Sequence, residues 1–503
     1  MRITNQMISN NSLRNLQAST GKINTLTEQL TTGKKIQRAS EDPVIAIRAL
    51  KLRTTVSQLT QYKNKNIEDA ASWLDLTESS ISNIEKRVED IITYCTQGST
   101  DSFSTKDRNA IADTIRSYKD LIYSEGGASY AGRFIFSGYK TETNLVFTKT
   151  EAPLYRYEIT QKLSGADISA KKTVVNSVNP SDVDAYLDGT KSYDSDAYPQ
   201  EETVYRLRLA YDNLTAGATP AISYKDKTGN TINLNVTTVM TTAQEAEYYK
   251  NVGDDEVRYI PATGEILFGS NVNMDVKEAV ELSVTYKKEE FRENDLRPEH
   301  YFDCVQTLKS DPTKQIDFVV PDEGQKIEYE VNFNQKLVVN TEGRDLIKHD
   351  MGRTIEELAQ HVSDVANVEE TIQNLKAMLD DPKYSNNEDA ITQIQYMLED
   401  ANTELTMKTS QMQKFFERNI SVFQSFQTDI SALESDSGSR VSNLDLIRTR
   451  VSEQLINFTD VMSSNEEIDV ESAAVDYSAS NVVYNAALMT TGGVIQKTLL
   501  DFL

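Results

Sequence analysis

The side chains best suited to catalysis are few and scattered. The three histidines are His300, His349 and His361. None falls in His-Glu-x-x-His, the spacing that sets two imidazoles on one helix face to hold zinc beside a glutamate base. The two cysteines, Cys95 and Cys304, give neither a disulfide framework nor a metal-ligand spacing. The chain has no Gly-x-Ser-x-Gly turn to expose a nucleophilic serine and no glycine-rich loop to cradle a phosphate; Gly126-Gly127 reads as the end of a helix. Carboxylates remain as acid–base candidates. Among 77 acidic residues, pairs such as Glu356-Glu357 and Glu369-Glu370 arise by chance and read as solvated helix faces. The expectation is a protein that is not an enzyme, with no catalytic residue, cofactor or metal.

Composition narrows the partners. With 52 basic against 77 acidic side chains the net charge is −25, so phosphate backbones and anionic lipid surfaces are repelled, and no nucleic acid is expected. Ten prolines and twenty glycines in 503 residues favour long helices over loops, and 38% hydrophobic content suffices for bundles and sheets with modest cores. No apolar run reaches the eighteen or so residues that a membrane helix needs, so no membrane insertion is expected. The opening Met1–Gln17 has no continuous apolar segment of the signal-peptide kind, so the ordinary secretory route is not expected either.

With no chemistry to position, the elements themselves carry the information. The two chain ends each bear a thin helical stripe. At the start it runs through Ile3, Met7, Leu13, Leu16, Thr20, Ile23, Leu26 and Leu30, with Gly33 placed to cap the helix. At the end it runs through Val470, Ala474, Tyr477, Asn481, Tyr484, Leu488, Thr491, Ile495, Thr498 and Phe502, with Leu499 beside it and small residues along its flanks. Such a stripe is too narrow to cover a globular core. It reads as one strand of a coiled coil whose partner lies elsewhere. Ordering costs about 1 to 2 kcal/mol per residue of backbone entropy, so both ends are expected to be disordered in the monomer and to fold on assembly.

Between the ends the chain is nested. Asp42-Pro43 starts a helix by side-chain capping and a proline at the first position. It runs to about Gln97 with a seven-residue repeat through Ile67, Ala70, Leu74, Thr77, Ile81, Ile84, Val88, Ile91 and Cys95, which reads as an internal core with Cys95 a packed thiol. A helix with Ile111, Ile115, Tyr118 and Ile122 on one face follows, then an aromatic strand over 132–138. From about Leu145 to Leu337 apolar and polar residues alternate, as in Tyr155–Ile159, Val204–Leu209, Val257–Ile260 and Leu282–Tyr286, the pattern of half-buried antiparallel strands. Helical periodicity returns at Ile355, stops at Asp380-Asp381-Pro382, resumes at Ile391, and is expected to break at Gly438. The expected fold is mainly α with an inserted β-rich domain. Nested coiled-coil helices come from both chain ends and an antiparallel β domain sits in the middle: 1–40 with 464–503 as a terminal coiled-coil domain, 41–144 with 345–463 as a helical rod, and 145–344 as the outer insert.

Four short motifs in order resemble the flagellin superfamily. They are Met1-Arg2-Ile3-Thr4-Asn5-Gln6-Met7, Leu30-Thr31-Thr32-Gly33-Lys34-Lys35-Ile36 followed by Ser40-Glu41-Asp42-Pro43, the segment Gly132 to Thr141, and the ending Thr498 to Leu503. Asp42-Pro43-Val44 and Gly132-Arg133-Phe134-Ile135-Phe136-Ser137-Gly138 are similar to the hook-associated branch, and Gly438-Ser439-Arg440 resembles the Gly-Ala-Arg before the family's last helix. The resemblance implies a structural subunit of the bacterial flagellum joining hook to filament. It further implies partners: a ring of copies of itself, another hook-associated protein on the hook side, flagellin on the filament side, and an export chaperone on the C-terminal helix. The implied location is extracellular, reached through the flagellum's own type III apparatus. The terminal stripes would then be the assembly interface. A filament-forming flagellin is the alternative, and a surface adhesin acting through the β insert is a more distant one.

Overall fold

The computed structural model describes residues 5–100, 103–191, 198–321 and 323–494. Helix α1 (Asn5–Thr32) ends at Gly33, which takes φ +70° and returns its N–H to Gln29 O at 2.8 Å. Glycine reaches that left-handed conformation without the clash a Cβ would bring. Helix α2 (Pro43–Gln61) begins as its sequence dictates, with Asp42 Oδ1 accepting from Val44 N at 2.9 Å and Ile45 N at 3.1 Å. A π-helical turn over Tyr62–Asn66 leads into α3 (Ile67–Gly98), and α4 (Thr105–Glu125) follows behind a Ser104/Asp107 capping box.

The expected aromatic strand over 132–138 is much shorter than its residues suggest. Only β1 (Ser129–Tyr130) and β2 (Arg133–Phe134) pair there, and Ile135 and Phe136 turn inward as buried anchors. The strands that follow are β3 (Tyr155–Leu163), β4 (Ile168–Val175), β5 (Gln200–Arg208) after the short helix α5 (Val183–Leu187), β6 (Ala221–Lys225), β7 (Thr231–Leu234), β8 (Thr238–Val239), β9 (Val257–Ile260) and β10 (Glu265–Phe268). Helix α6 (Ser270–Lys277) precedes β11 (Glu281–Lys288), β12 (Asp303–Leu308), β13 (Asp311–Phe318), β14 (Glu328–Asn332) and β15 (Gln335–Val338). The chain closes with α7 (Gly343–Leu346), α8 (His349–Asp380), α9 (Pro382–Ser385), α10 (Glu388–Glu466) and α11 (Val470–Val494). Gly438 does not break the helix: α10 is one element of 79 residues. A glycine inside a helix costs about 1 kcal/mol relative to alanine, which the buried Phe423, Ile430, Leu444, Ile447 and Val451 along α10 offset.

Two compact units emerge. One combines Met1–Ala71, Tyr329–Leu337 and Ser442–Leu503. Its core is small, built from Leu52, Leu59, Ile67, Ala70, Leu444, Ile447 and Val451, with Val331 supplied by the β14/β15 hairpin. The hairpin sits on the π turn: Tyr62 OH donates to Glu330 Oε1 at 3.1 Å, Asn66 Nδ2 donates to Glu330 O at 2.7 Å, and Phe333 packs edge-on against Tyr62.

The other unit holds Ser72–Glu328 and Val338–Val441. Here a five-stranded sheet ordered β4-β5-β10-β9-β8 faces a six-stranded sheet ordered β13-β12-β3-β11-β6-β7 across one apolar core that includes Tyr157, Leu207, Tyr259, Phe268 and Tyr286. Among the described residues, the strands of the two sheets pair antiparallel except β8 with β9, which is parallel. Strands β9 and β10 are buried on both faces, because Val204, Met240, Tyr248, Ile260 and Leu267 form a second cluster on the back of their sheet. The helical part includes α4 packed on α8, tied by Thr105 Oγ1 donating to Glu369 at 2.6 Å and Arg116 Nε to Glu356 at 3.2 Å. The second half of α8 and the first half of α10 form an antiparallel pair closed over Val183 of α5, Ile372, Leu375, Ile394 and Met397. The heptad side chains of α3 from Ile67 to Cys95 are all buried, which is the internal core expected of them.

Candidate assembly interface

The histidines and paired glutamates are mostly taken up in packing and ion pairs, with His361 beside the Glu357, Lys171 and Arg206 group. Burial drives all three imidazoles down, His300 and His349 to about 3 and His361 to about 4, so they are neutral at ordinary pH. His349 lies among the rings of Tyr211, Tyr301 and Phe302, and His361 against Phe415. Glu356 and Glu357 are not a solvated face. Glu356 accepts from Arg116 and Lys119, and Glu357 is largely buried, accepting from Arg206 at 2.6 and 2.9 Å and from Arg208 at 3.0 Å. Sequence periodicity places these glutamates on a helix but says nothing of the sheet that lies over it. Glu369 is likewise half-buried, while Glu370 is exposed.

The terminal helices give a different picture. The chain leaves α1 through Gly33 and enters α11 beside it: Lys35 N donates to Glu466 O at 2.8 Å and Ile468 N to Gly33 O at 3.0 Å, around an antiparallel bridge between Lys34 and Glu467. With one helix's end pinned to the other's start, α1 and α11 run antiparallel in contact along their length. The junction is charged. Arg53 of α2 holds the nearly buried Glu466 carboxylate with both arms, and Lys34 stands 3.5 Å away. The Arg53 hydrogen bond keeps Glu466 below the usual carboxylate range.

The seam is regular. On α1 the less exposed positions are Ser9, Ser12, Leu16, Ser19, Ile23, Leu26 and Leu30; on α11 they are Ala473, Tyr477, Ser480, Tyr484, Ala487 and Thr491, with Asn481 half-buried at the flank. Both series alternate steps of three and four, the heptad spacing of a two-stranded coiled coil. Small side chains in both let the helices approach closely.

The stripes expected from the sequence divide accordingly. Leu16, Ile23, Leu26, Leu30, Tyr477 and Tyr484 lie in the seam, whereas Met7, Leu13, Val470, Ala474 and Leu488 are exposed. Ile3, Ile495, Leu499 and Phe502 lie outside the described residues. On α11 the expected stripe is turned roughly 50° from the inward face at 100° per residue, and shares Tyr477, Tyr484 and Thr491 with it. Val470 and Leu488, the aliphatic members of the expected stripe, face outward, while Ala473, Ser480 and Ala487 take the inward positions. Val475, Val482 and Met489, outside the expected stripe, repeat every seven residues on the opposite side and are exposed by 64%, 68% and 81%. That seven-residue spacing was the signal available to find them. Val44, Ile47 and Leu50 form a similar outward row on α2. More than half of the large apolar side chains exposed among the described residues fall in this unit, which holds under a third of the chain.

The first part of the chain also matches a known family. Residues 3–141 fit the model of the bacterial flagellin N-terminal helical region. That match covers under a third of the chain. The flagellar hook-associated protein 3 of Escherichia coli (strain K12) is 29% identical over 144 residues, covering 28% of this chain and 45% of that protein. A flagellin of Clostridium tyrobutyricum is 28% identical over 122 residues, 24% of this chain and 32% of that protein. The chain thus spans less than half the length of the curated relatives it matches. A crystal structure of flagellar hook-associated protein 3 from Legionella pneumophila covers 82% of this chain and 97% of its own at 11% identity, with a TM-score of 0.29. The matched stretch takes in α1 to α4 and the β1/β2 hairpin, so one strand of the terminal seam lies within it.

Proposed function

We propose that this chain is a structural subunit of the bacterial flagellum, of the hook-associated protein 3 kind, joining hook to filament through its terminal helices. The observation that carries the reading is the two-sidedness of α11. Its seam against α1 uses small and polar residues, while Val475, Val482 and Met489 are left in water on the far side. Each such side chain contributes about 1.5 to 3 kcal/mol when buried, so a row of them on an ordered helix favours a neighbour. In a tubular assembly copies of the same chain supply that neighbour around a ring. The terminal coiled coil (1–40 with 464–503) forms the contact layer, the rod (41–144 with 345–463) spaces it, and the insert (145–344) faces outward.

The partners in this reading are other copies of the chain, another hook-associated protein towards the hook, flagellin towards the filament, and an export chaperone that covers the C-terminal helix before assembly. The subunit travels through the flagellar type III apparatus and functions outside the cell. The sequence similarity to a flagellin favours filament formation as the second reading. Purified filament flagellin would polymerise alone into long filaments, whereas a junction subunit stays dispersed until given its partners.

Deletion of the gene tests the proposal. The expected phenotype is intact hooks with unpolymerised flagellin released into the medium, and normal motility would contradict it.

A further inference from the structure

We propose that the cleft at the first turn of α8 binds a small organic anion with a carboxylate or phosphate head. The cleft has a volume of about 430 Å³, inside the roughly 300–1,000 Å³ usual for small-molecule sites. In a chain of net charge −25 its wall carries six cationic side chains, Arg206, Arg208, Arg344, Lys348, Arg353 and Arg418, against three carboxylates. Those carboxylates are engaged: Glu357 and Asp350 on Arg208, and Asp167 on Ser164. The cations other than Arg418 are also engaged, for example Lys348 with Asp429 at 2.6 Å and Arg344 with Glu342 at 2.9 Å. Arg418 forms no ion pair among the described residues.

Two further features point to an acceptor-rich ligand. Asn419, next to Arg418 on the same wall, is 3% exposed and its Nδ2 has no hydrogen-bond partner. The first turn of α8 opens on the cleft through Lys348, His349 and Asp350; Lys348 makes no side-chain cap there, and the Tyr123 hydroxyl takes only the Gly352 N–H. The positive end of a 32-residue helix, a guanidinium without a carboxylate and an unsatisfied amide donor call for the same complement, an anionic oxygen cluster. Phe302 and Phe415 line the same cleft and suit a ring or short apolar body behind that head.

Calorimetric titration of the full chain with inorganic phosphate and, separately, benzoate tests the assignment and distinguishes the two head groups. The expected result is saturable one-to-one binding of at least one probe, weakened about tenfold or more by Arg418→Glu and largely kept by Arg418→Lys, as loss of a charge-assisted contact requires. Arg418 is exposed, so its variants should melt like the parent, which a thermal scan checks. Absence of saturable binding for both probes would overturn the proposal, as would equal affinity in parent and Arg418→Glu.

Discussion

Arg53 Nε lies 2.6 Å from Glu466 Oε1 while the same guanidinium closes on the second oxygen, so α2 and the last residue of α10 share one bidentate ion pair at the root of the terminal helices. The carboxylate side chain is 7% exposed and the arginine 59%. Solvent around the arginine limits the pair's worth to about 1 kcal/mol. Arg53→Ala should lower the melting temperature of the terminal unit by a few degrees at neutral pH. Because Glu466 is held below its unfolded value, the stabilisation is present above the unfolded carboxylate pKa near 4.3 and is lost as pH falls through the lower folded one. Melting of parent and variant by circular dichroism should therefore differ at pH 7 and draw together as pH falls below about 4.3.

A second network fixes the five-stranded sheet to α8. Arg206 is 8% exposed and bonds Glu265 and Glu357, both at 2.6 Å, with Lys171 3.6 Å from each carboxylate. Burial alone would raise Glu265, but Lys171 and Arg206 outweigh it and hold it at about 2; Glu357 is likewise well below the usual range. Arg206→Met should cost on the order of 3 kcal/mol, because it leaves buried carboxylates undercompensated. Adding Glu357→Leu should recover part of that loss. Urea unfolding monitored by near-ultraviolet circular dichroism measures both. Depressed carboxylates stabilise fully above their unfolded pKa and lose that contribution progressively as pH falls to the folded one, so the network's stabilisation should fall below about pH 4.3 and be largely gone near pH 2.

Burial raises the Cys95 thiol to about 12 and Cys304 further still. Since the thiolate is the reactive form, neither cysteine should react with a thiol reagent at pH 8 until the chain unfolds. Mass spectrometry after brief labelling checks this; stoichiometric modification of the native protein would contradict the packing described for α3 and β12.

Much of the fold was legible because its signals are local. The capping by Asp42, the left-handed turn at Gly33 and the stop at Asp380-Asp381-Pro382 each depend on a few adjacent residues, and the structure follows them. The heptad of α3 was legible for the same reason, since Ile81, Ile84, Val88 and Ile91 repeat without interruption. What failed depended on distant neighbours. Gly438 looks like a break until the burial along α10 on either side of it is known. Glu357 looks solvated until Arg206 and Arg208 are brought over it by a sheet distant in sequence. At the interface, hydrophobicity pointed to Val470 and Leu488 as inward. The regular spacing of Ala473, Ser480 and Ala487 decided the opposite, because small residues allow the closest helix approach.

The central claim is that the outward face of α11 is an assembly surface. It is tested most directly by electron microscopy of cells whose only copy of the chain carries Val482→Asp and Met489→Asp. Both side chains are exposed, 68% and 81%, so the variant should fold and melt like the parent. It should still be exported, yet leave hooks without filaments and flagellin free in the medium. Normal filaments on those hooks would contradict the account.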